Sequence, residues 1–171
     1  YFKTDPSTVG IQQAYKTALS SYFQLIGVDA ATAEKNAALV YEIEEQLAGS
    51  HRTNIELRDV KANYNKLAVA DLSKKQPNLS WPTLLADYGA KVDSLNIGQP
   101  AYYDKLNAML STVPINDWKV YLKANMLRDY SGFLSKPFND VNFNYAKVLT
   151  GQAVMKPRAE EMTQAVDRSL G

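Results

Sequence analysis

The chain has 171 residues, 46% of them hydrophobic and 22% charged, enough for one domain with a sizeable core that needs no covalent staples. A balance of 19 Lys+Arg against 18 Asp+Glu leaves a net charge of +1, without the electrostatic footprint that nucleic-acid binding draws on. With no Cys and a single His, His51, these residues cannot form disulfides, thiolate metal sites, cysteine nucleophiles or a two-histidine zinc site.

The first predicted helix runs from about Val9 to Ile26, where Ile11, Ala14, Tyr15, Ala18, Leu19, Tyr22 and Leu25 recur at three- and four-residue spacing. Ser7 is its expected N-cap and Gly27 its left-handed C-cap residue. Asp29 caps a second helix, Ala30 to Ala48, with a stripe through Ala33, Ala37, Val40, Tyr41, Glu44 and Leu47, closed by Gly49. The short connection predicts an antiparallel hairpin. Thr53 and Glu56 have capping-box spacing and predict a third helix carrying Ile55, Leu57, Val60 and Tyr64.

Leu67 to Gln76 reads as another turn or two of helix, ended by Pro77, and Ser80 as the cap of a helix from Trp81 to Tyr88. Lys91 to Ile97 alternates weakly, but a lone strand has nothing to pair with, so it reads as extended loop. Gln99 and Pro100 open a helix to about Leu110. The strongest periodicity follows, Asn116 to Leu134, with Trp118, Tyr121, Leu122, Met126, Leu127, Tyr130 and Phe133 on the expected core face and Pro137 as its end. Asp140 is the expected cap of Val141 to Leu149, and Pro157 opens a last helix that ends near Leu170. The sum is an all-α single domain of about seven helices packed as stacked antiparallel hairpins.

No apolar run approaches the roughly 20 residues that span a bilayer. Tyr1 is not an initiator methionine, so the sequence reads as an excerpt of a longer protein. Chemistry-bearing constellations are sparse. The acids of Glu42 to Glu45 and of Glu160 and Glu161 read as solvated helix faces, except Glu44, which falls on the apolar stripe and needs a cationic or hydroxyl partner if enclosed. His51 reads as an exposed loop histidine. Arg58, Asp59, Tyr64, Asn65 and Lys66 bring a guanidinium, a carboxylate and an amide within two turns, which suggests a buried tie between helices. Three functional classes stay open from the residues alone: part of a larger machine, a free-standing helical module binding a protein or peptide in a Tyr- and Trp-lined groove, and a hydrolase using its own carboxylates.

A set of landmarks in order narrows this. Tyr1-Phe2, then Val40 to Ala48 as V-x-x-I-E-x-x-L-A, Arg58-Asp59 and Tyr64-Asn65-Lys66 are followed by Trp81, Gln99-Pro100 and Tyr102-Tyr103. Trp118 to Leu122 as W-K-V-Y-L, Leu134-Ser135, Phe138, Phe143, Leu149 with Gly151, and Arg158 complete the series. Over nearly its full length the chain resembles the helical N-terminal region of the neprilysin family of zinc metallopeptidases, which includes bacterial oligoendopeptidase O and the endothelin-converting enzymes. The resemblance implies a lid domain spanning 1–171 that closes over a catalytic domain of the same parent chain and encloses a cavity for short peptides. It implies zinc in the parent, held by an H-E-x-x-H helix and a downstream glutamate, but none here, because His51 is followed by Arg-Thr-Asn-Ile. It also implies an extracytoplasmic parent, and the lack of Cys brings a bacterial member closer than the disulfide-bearing vertebrate ones. The expected lobe-defining or cavity positions are Glu44, Arg58, Asp59, Tyr64, Asn65, Trp81, Trp118 and Arg158, with no catalytic, cofactor or metal residue among them.

Overall fold

Asp5 starts the first helix, α1 (Pro6–Leu25), by accepting the Thr8 N–H at 3.0 Å and the Thr8 hydroxyl at 2.7 Å. Ser7, the expected cap, lies inside the helix: Asp5 precedes Pro6, and proline is best placed in the first turn, where its missing N–H leaves no bond unmade. At the other end Gly27, at φ 89°, lets Val28 N–H return to Phe23 and its own N–H return to Gln24, so the last carbonyls are satisfied. Asp29 accepts the Thr32 N–H and opens α2 (Ala30–Ala48). The computed structural model describes residues 1–170, and among them are eight α-helices and one two-stranded sheet. The remaining elements are β1 (Lys66–Ala68), α3 (Val69–Lys75), α4 (Trp81–Asp87), β2 (Ser94–Asn96), α5 (Pro100–Thr112), α6 (Ile115–Tyr130), α7 (Lys136–Thr150) and α8 (Arg158–Leu170). The architecture is all-α but for that small sheet.

The chain divides into two compact units, one of Tyr1–Phe2 with Ala38–Leu122, the other of Lys3–Ala37 with Lys123–Gly171. In the first, Ile43, Leu47 and Met109 form a buried cluster against which Leu106, Tyr102 and Trp118 pack. A second cluster of Leu72, Trp81 and Ile97 gathers Leu67, Leu95 and Tyr103. Successive tyrosines of α5 serve both, since Tyr102 and Tyr103 meet edge to face at 5.3 Å while each belongs to a different cluster. In the second unit Ala18, Tyr22 and Leu127 pack with Phe138, Val141 and Tyr145. Tyr15 meets Tyr145 and Tyr22 meets Phe138, so α1 and α7 run antiparallel. Burial pushes the Tyr22 phenol above its usual range, with the Ser131 hydroxyl and the Arg128 charge opposing.

Several expectations are corrected. The strand at 94–96 is not alone: it pairs antiparallel with 66–68, Leu67 opposite Leu95, in a segment whose composition suggested a helix. Three-residue strands carry too little periodicity to be read. Ser80 sits in the left-handed region at φ 44° and caps α4 by position, with no side-chain bond. On α2 the buried register passes through Ile43, and Glu44 is half-exposed. α6 stops at Tyr130, and Pro137 lies in the first turn of α7 after Ser135, so it begins a helix where it was expected to end one; Asp140 pairs with Lys136 inside that helix. Leu122, Met126, Tyr130 and Phe133 are exposed, while Ala124, Leu127 and Ser131 occupy the buried side.

Candidate functional site

The segment between α2 and β1 is a loop that folds on its own polar side chains. Glu56 Oε2 accepts from the Thr53 N–H at 2.8 Å and the Thr53 hydroxyl at 2.7 Å, which holds its carboxyl below the usual range. That capping box nucleates only a 3₁₀ turn, Glu56–Arg58, because Asp59 turns extended and Asn63 intercepts the carbonyls a helix would use. Asn63 Nδ2 donates to the carbonyls of Glu56, Leu57 and Asp59 at 3.3, 2.9 and 2.8 Å. From the other side Arg52 Nη1 donates to Ala62 O and to Asn63 Oδ1, both at 2.6 Å, and its N–H is held by Gln99 Oε1 at 2.9 Å. Asn65 closes the loop, donating through Nδ2 to Ala62 O while its N–H meets Asn96 Oδ1 at 2.7 Å.

Four of the expected positions lie on this loop, and the buried tie foreseen for them does not form. Arg58 is exposed, its guanidinium without a bond or ion pair among the described residues. Asp59 is exposed and accepts the Ala62 N–H. Tyr64 is exposed, and only Asn65 is partly covered. The bracing of the loop by Arg52, Asn63 and Gln99 leaves no mark in the sequence, since hydrogen bonds from amide and guanidinium side chains to loop backbone carry no periodic trace.

Trp81 is the buried member of the set. Its Nε1–H donates to Gln76 Oε1 at 3.1 Å, Gln76 Nε2 donates to Asp104 Oδ1 at 2.6 Å, and Lys75 Nζ meets Asp104 Oδ2 at 2.9 Å. Partial burial raises the Asp104 carboxyl, but the bonds from Gln76 and Lys75 outweigh it and hold the group low. Trp118 is half-buried, edge to face with Tyr121 at 5.6 Å, and its indole N–H is enclosed with no acceptor among the described residues. Glu44 accepts the Tyr1 hydroxyl at 2.6 Å. Next to it, burial and then the charges of Glu45 and Glu44 raise the Tyr41 phenol.

In the other unit Arg158, at the start of α8, donates to the carbonyls of Gly132 and Leu134 and lies 3.6 Å from Glu161. Glu161 in turn accepts from the buried Asn139 at 3.1 Å, at the side of a cavity of about 270 Å³ between α7 and α8. These contacts orient helices.

The donor set does not suit a catalytic zinc. His51 lies against Tyr102, ring centroids 4.6 Å apart and planes tilted by 49°, and among the described residues no three His, Asp or Glu side chains converge. Nor, among them, is any helix long and apolar enough to cross a membrane.

A helical chain of this length with so little bond-making chemistry is matched from end to end, residues 1–171, by the model of Peptidase family M13. The chain belongs to peptidase family M13. The match is to the family's N-terminal region, in agreement with the likeness to the neprilysin family drawn from the sequence. Rat endothelin-converting enzyme-like 1 is 25% identical over 178 residues, which take in 100% of this M13 chain and 23% of the rat protein. A Mycobacterium tuberculosis zinc metalloprotease solved with an inhibitor has the same fold at TM-score 0.90 and 22% identity, over 98% of this chain and 26% of that one. PepO from Lactobacillus rhamnosis superposes at TM-score 0.78 with 18% identity, over 93% of this chain and 25% of its own. The M13 chain thus spans about a quarter of the length of the relatives it matches.

Proposed function

We propose that residues 1–171 are the helical lid domain of a neprilysin-like zinc endopeptidase, helping to enclose a chamber that admits short peptides to a catalytic domain elsewhere in the same parent chain. The observation that carries this is the end-to-end match to the family's N-terminal model in a chain whose described residues bring no three His, Asp or Glu side chains together. Zinc belongs to the parent's catalytic domain, and the lid works by shape. Glu44, Arg58, Asp59, Tyr64, Asn65, Trp81, Trp118 and Arg158 define that shape, chiefly as structural positions. The parent acts outside the cytoplasm, and the cysteine-free sequence favours a bacterial source.

The test compares the full-length parent with residues 1–171 alone, using a quenched fluorescent peptide, a folded protein substrate and zinc. The parent is expected to cleave the peptide in a chelator-sensitive way and to spare the folded protein. Chelator-sensitive turnover by residues 1–171 alone overturns the assignment, and so does a parent reading frame without an H-E-x-x-H helix.

A further inference from the structure

The cavity between α7 and α8 lies wholly within the second unit, and its wall has a chemistry of its own. One part is apolar, with Phe133, Phe143 and Met162; the other is carboxamide, from Asn139 and Asn142 of α7, Gln152 of the connection to α8 and Gln164 of α8. Asn139 is only 7% exposed. Its Nδ2 is spent on Glu161 Oε2 at 3.1 Å and Met155 Sδ at 3.5 Å, while its Oδ1 accepts nothing among the described residues. That oxygen is not sealed in protein, because the enclosed side-chain polar atom without a partner among those residues is on Trp118. It opens into the cavity.

Asn142 makes no side-chain hydrogen bond among the described residues, and Gln152, which gives its Nε2 to Val154 O, accepts nothing at Oε1. Gln164 is taken by Lys156 and Glu160. The unused amide groups are therefore the oxygens of Asn139, Asn142 and Gln152 and the single NH₂ of Asn142, so acceptors exceed donors. Ions fit this wall poorly. An anion meets Asn139 Oδ1 and the Glu161 carboxylate on the less exposed side; a cation finds Glu161 already 3.6 Å from Arg158, with Lys156 and Arg168 on the exposed side. What remains is a neutral ligand rich in donors. A hydroxyl donates and accepts at one atom, and a sugar ring carries several of them on a body whose C–H faces are apolar. The volume of about 270 Å³ equals about nine waters, room for one such ring.

We propose that the cavity between α7 and α8 binds one neutral sugar ring, whose hydroxyls donate to Asn139 Oδ1 and Gln152 Oε1 and pair with the Asn142 amide while a C–H face lies toward Phe133 and Phe143. A concave site with an apolar wall and a few placed polar groups is the usual form of a small-molecule site. The sugar hydroxyls reproduce the bonds of the waters they displace, so that exchange costs little, and the contact with the phenyl rings is the gain. Such a site does not depend on what the catalytic domain of the parent does.

The experiment is saturation-transfer difference NMR on the full-length parent, with glucose, galactose, mannose and N-acetylglucosamine as separate probes. At least one is expected to receive saturation at its ring C–H protons. Asn142→Ala and Gln152→Ala are each expected to reduce that transfer several-fold, and because neither side chain ties α7 to α8, the melting temperature should stay near that of the parent. Acetate and methylammonium, the matching small anion and cation, are expected not to displace the sugar. No transfer from any of the four sugars overturns the proposal. So does transfer that both variants leave intact, or displacement by acetate, by methylammonium or by a peptide substrate.

Discussion

Trp81 and Gln76 are joined by an indole N–H to amide oxygen bond of 3.1 Å between two side chains that are both almost fully buried. Gln76 passes the interaction on to Asp104, which also takes Lys75, so one glutamine connects a core indole to a half-exposed ion pair. A buried donor left without an acceptor costs about 1–3 kcal/mol. Gln76→Leu keeps the volume and strands the Trp81 N–H, so unfolding in denaturant should show a loss of about 2 kcal/mol. Trp81→Phe strands the glutamine instead. The double variant should lose clearly less than the sum of the two, because each single change leaves a partner orphaned that the double change does not. Strict additivity would show that the bond contributes nothing.

Trp118 should respond to the same substitution in the opposite manner. Its indole N–H is already enclosed without an acceptor, and its ring packs on Tyr121 and on the cluster of Ile43, Leu47 and Met109. Trp118→Phe removes the stranded donor and keeps an aromatic ring, so the two effects offset and stability should stay within about 1 kcal/mol of the parent. Trp118→Ala removes the ring and should cost about 3 kcal/mol. A large loss on Trp118→Phe would mean that the N–H has an acceptor after all.

The contrast between these two tryptophans shows where the sequence was legible. Helices long enough to repeat a face several times could be read: α2 was placed to the residue by Asp29 and Gly49, and the start of α5 by Pro100. Elements specified by a distant partner could not. Leu67 and Leu95 pair across 28 positions, and nothing local distinguishes β1 from the helix that follows it. The loop is the sharpest case. Thr53 and Glu56 form the capping box their spacing predicts, but a helix needs burial to persist, and Ile55, Val60 and Tyr64 find none within their unit. Trp81 and Trp118 were both picked out by order and spacing, yet only the structure shows that one has an acceptor and the other does not.

Asn63 separates local order from global stability. Asn63→Ala releases the carbonyls of Glu56, Leu57 and Asp59 and the Oδ1 that Arg52 uses. Because the loop is largely exposed, water replaces those bonds, and global stability should fall by no more than about 1 kcal/mol. Limited proteolysis between residues 53 and 64 should accelerate markedly, read as the rate at which the intact band disappears. Unchanged nicking would show that the amide is not what fixes the loop.

Acid should unfold the protein through a small, identifiable set of carboxylates. Asp5, Asp29 and Glu56 are held low chiefly by backbone N–H donors, from Thr8, Thr32 and Thr53 in turn, and Asp104 by Gln76 and Lys75 against its partial burial. A folded-state pKa below the unfolded one means that the unfolded chain binds more protons in the window between them, so stability falls as the pH is lowered through it. That window opens at the ordinary carboxylate range, about 4, and extends downward; above about 6 the melting temperature should be flat as far as these groups are concerned. The first three are surface caps, screened by water and salt, whereas Asp104 is linked to the buried Gln76. Asp104→Asn should therefore lower the melting temperature at neutral pH and make the acid limb shallower, with both effects surviving added salt better than those of Asp5→Asn. If the two variants lose the same stability and are screened alike, then the Trp81–Gln76–Asp104 chain is no more than a surface ion pair with a glutamine beneath it.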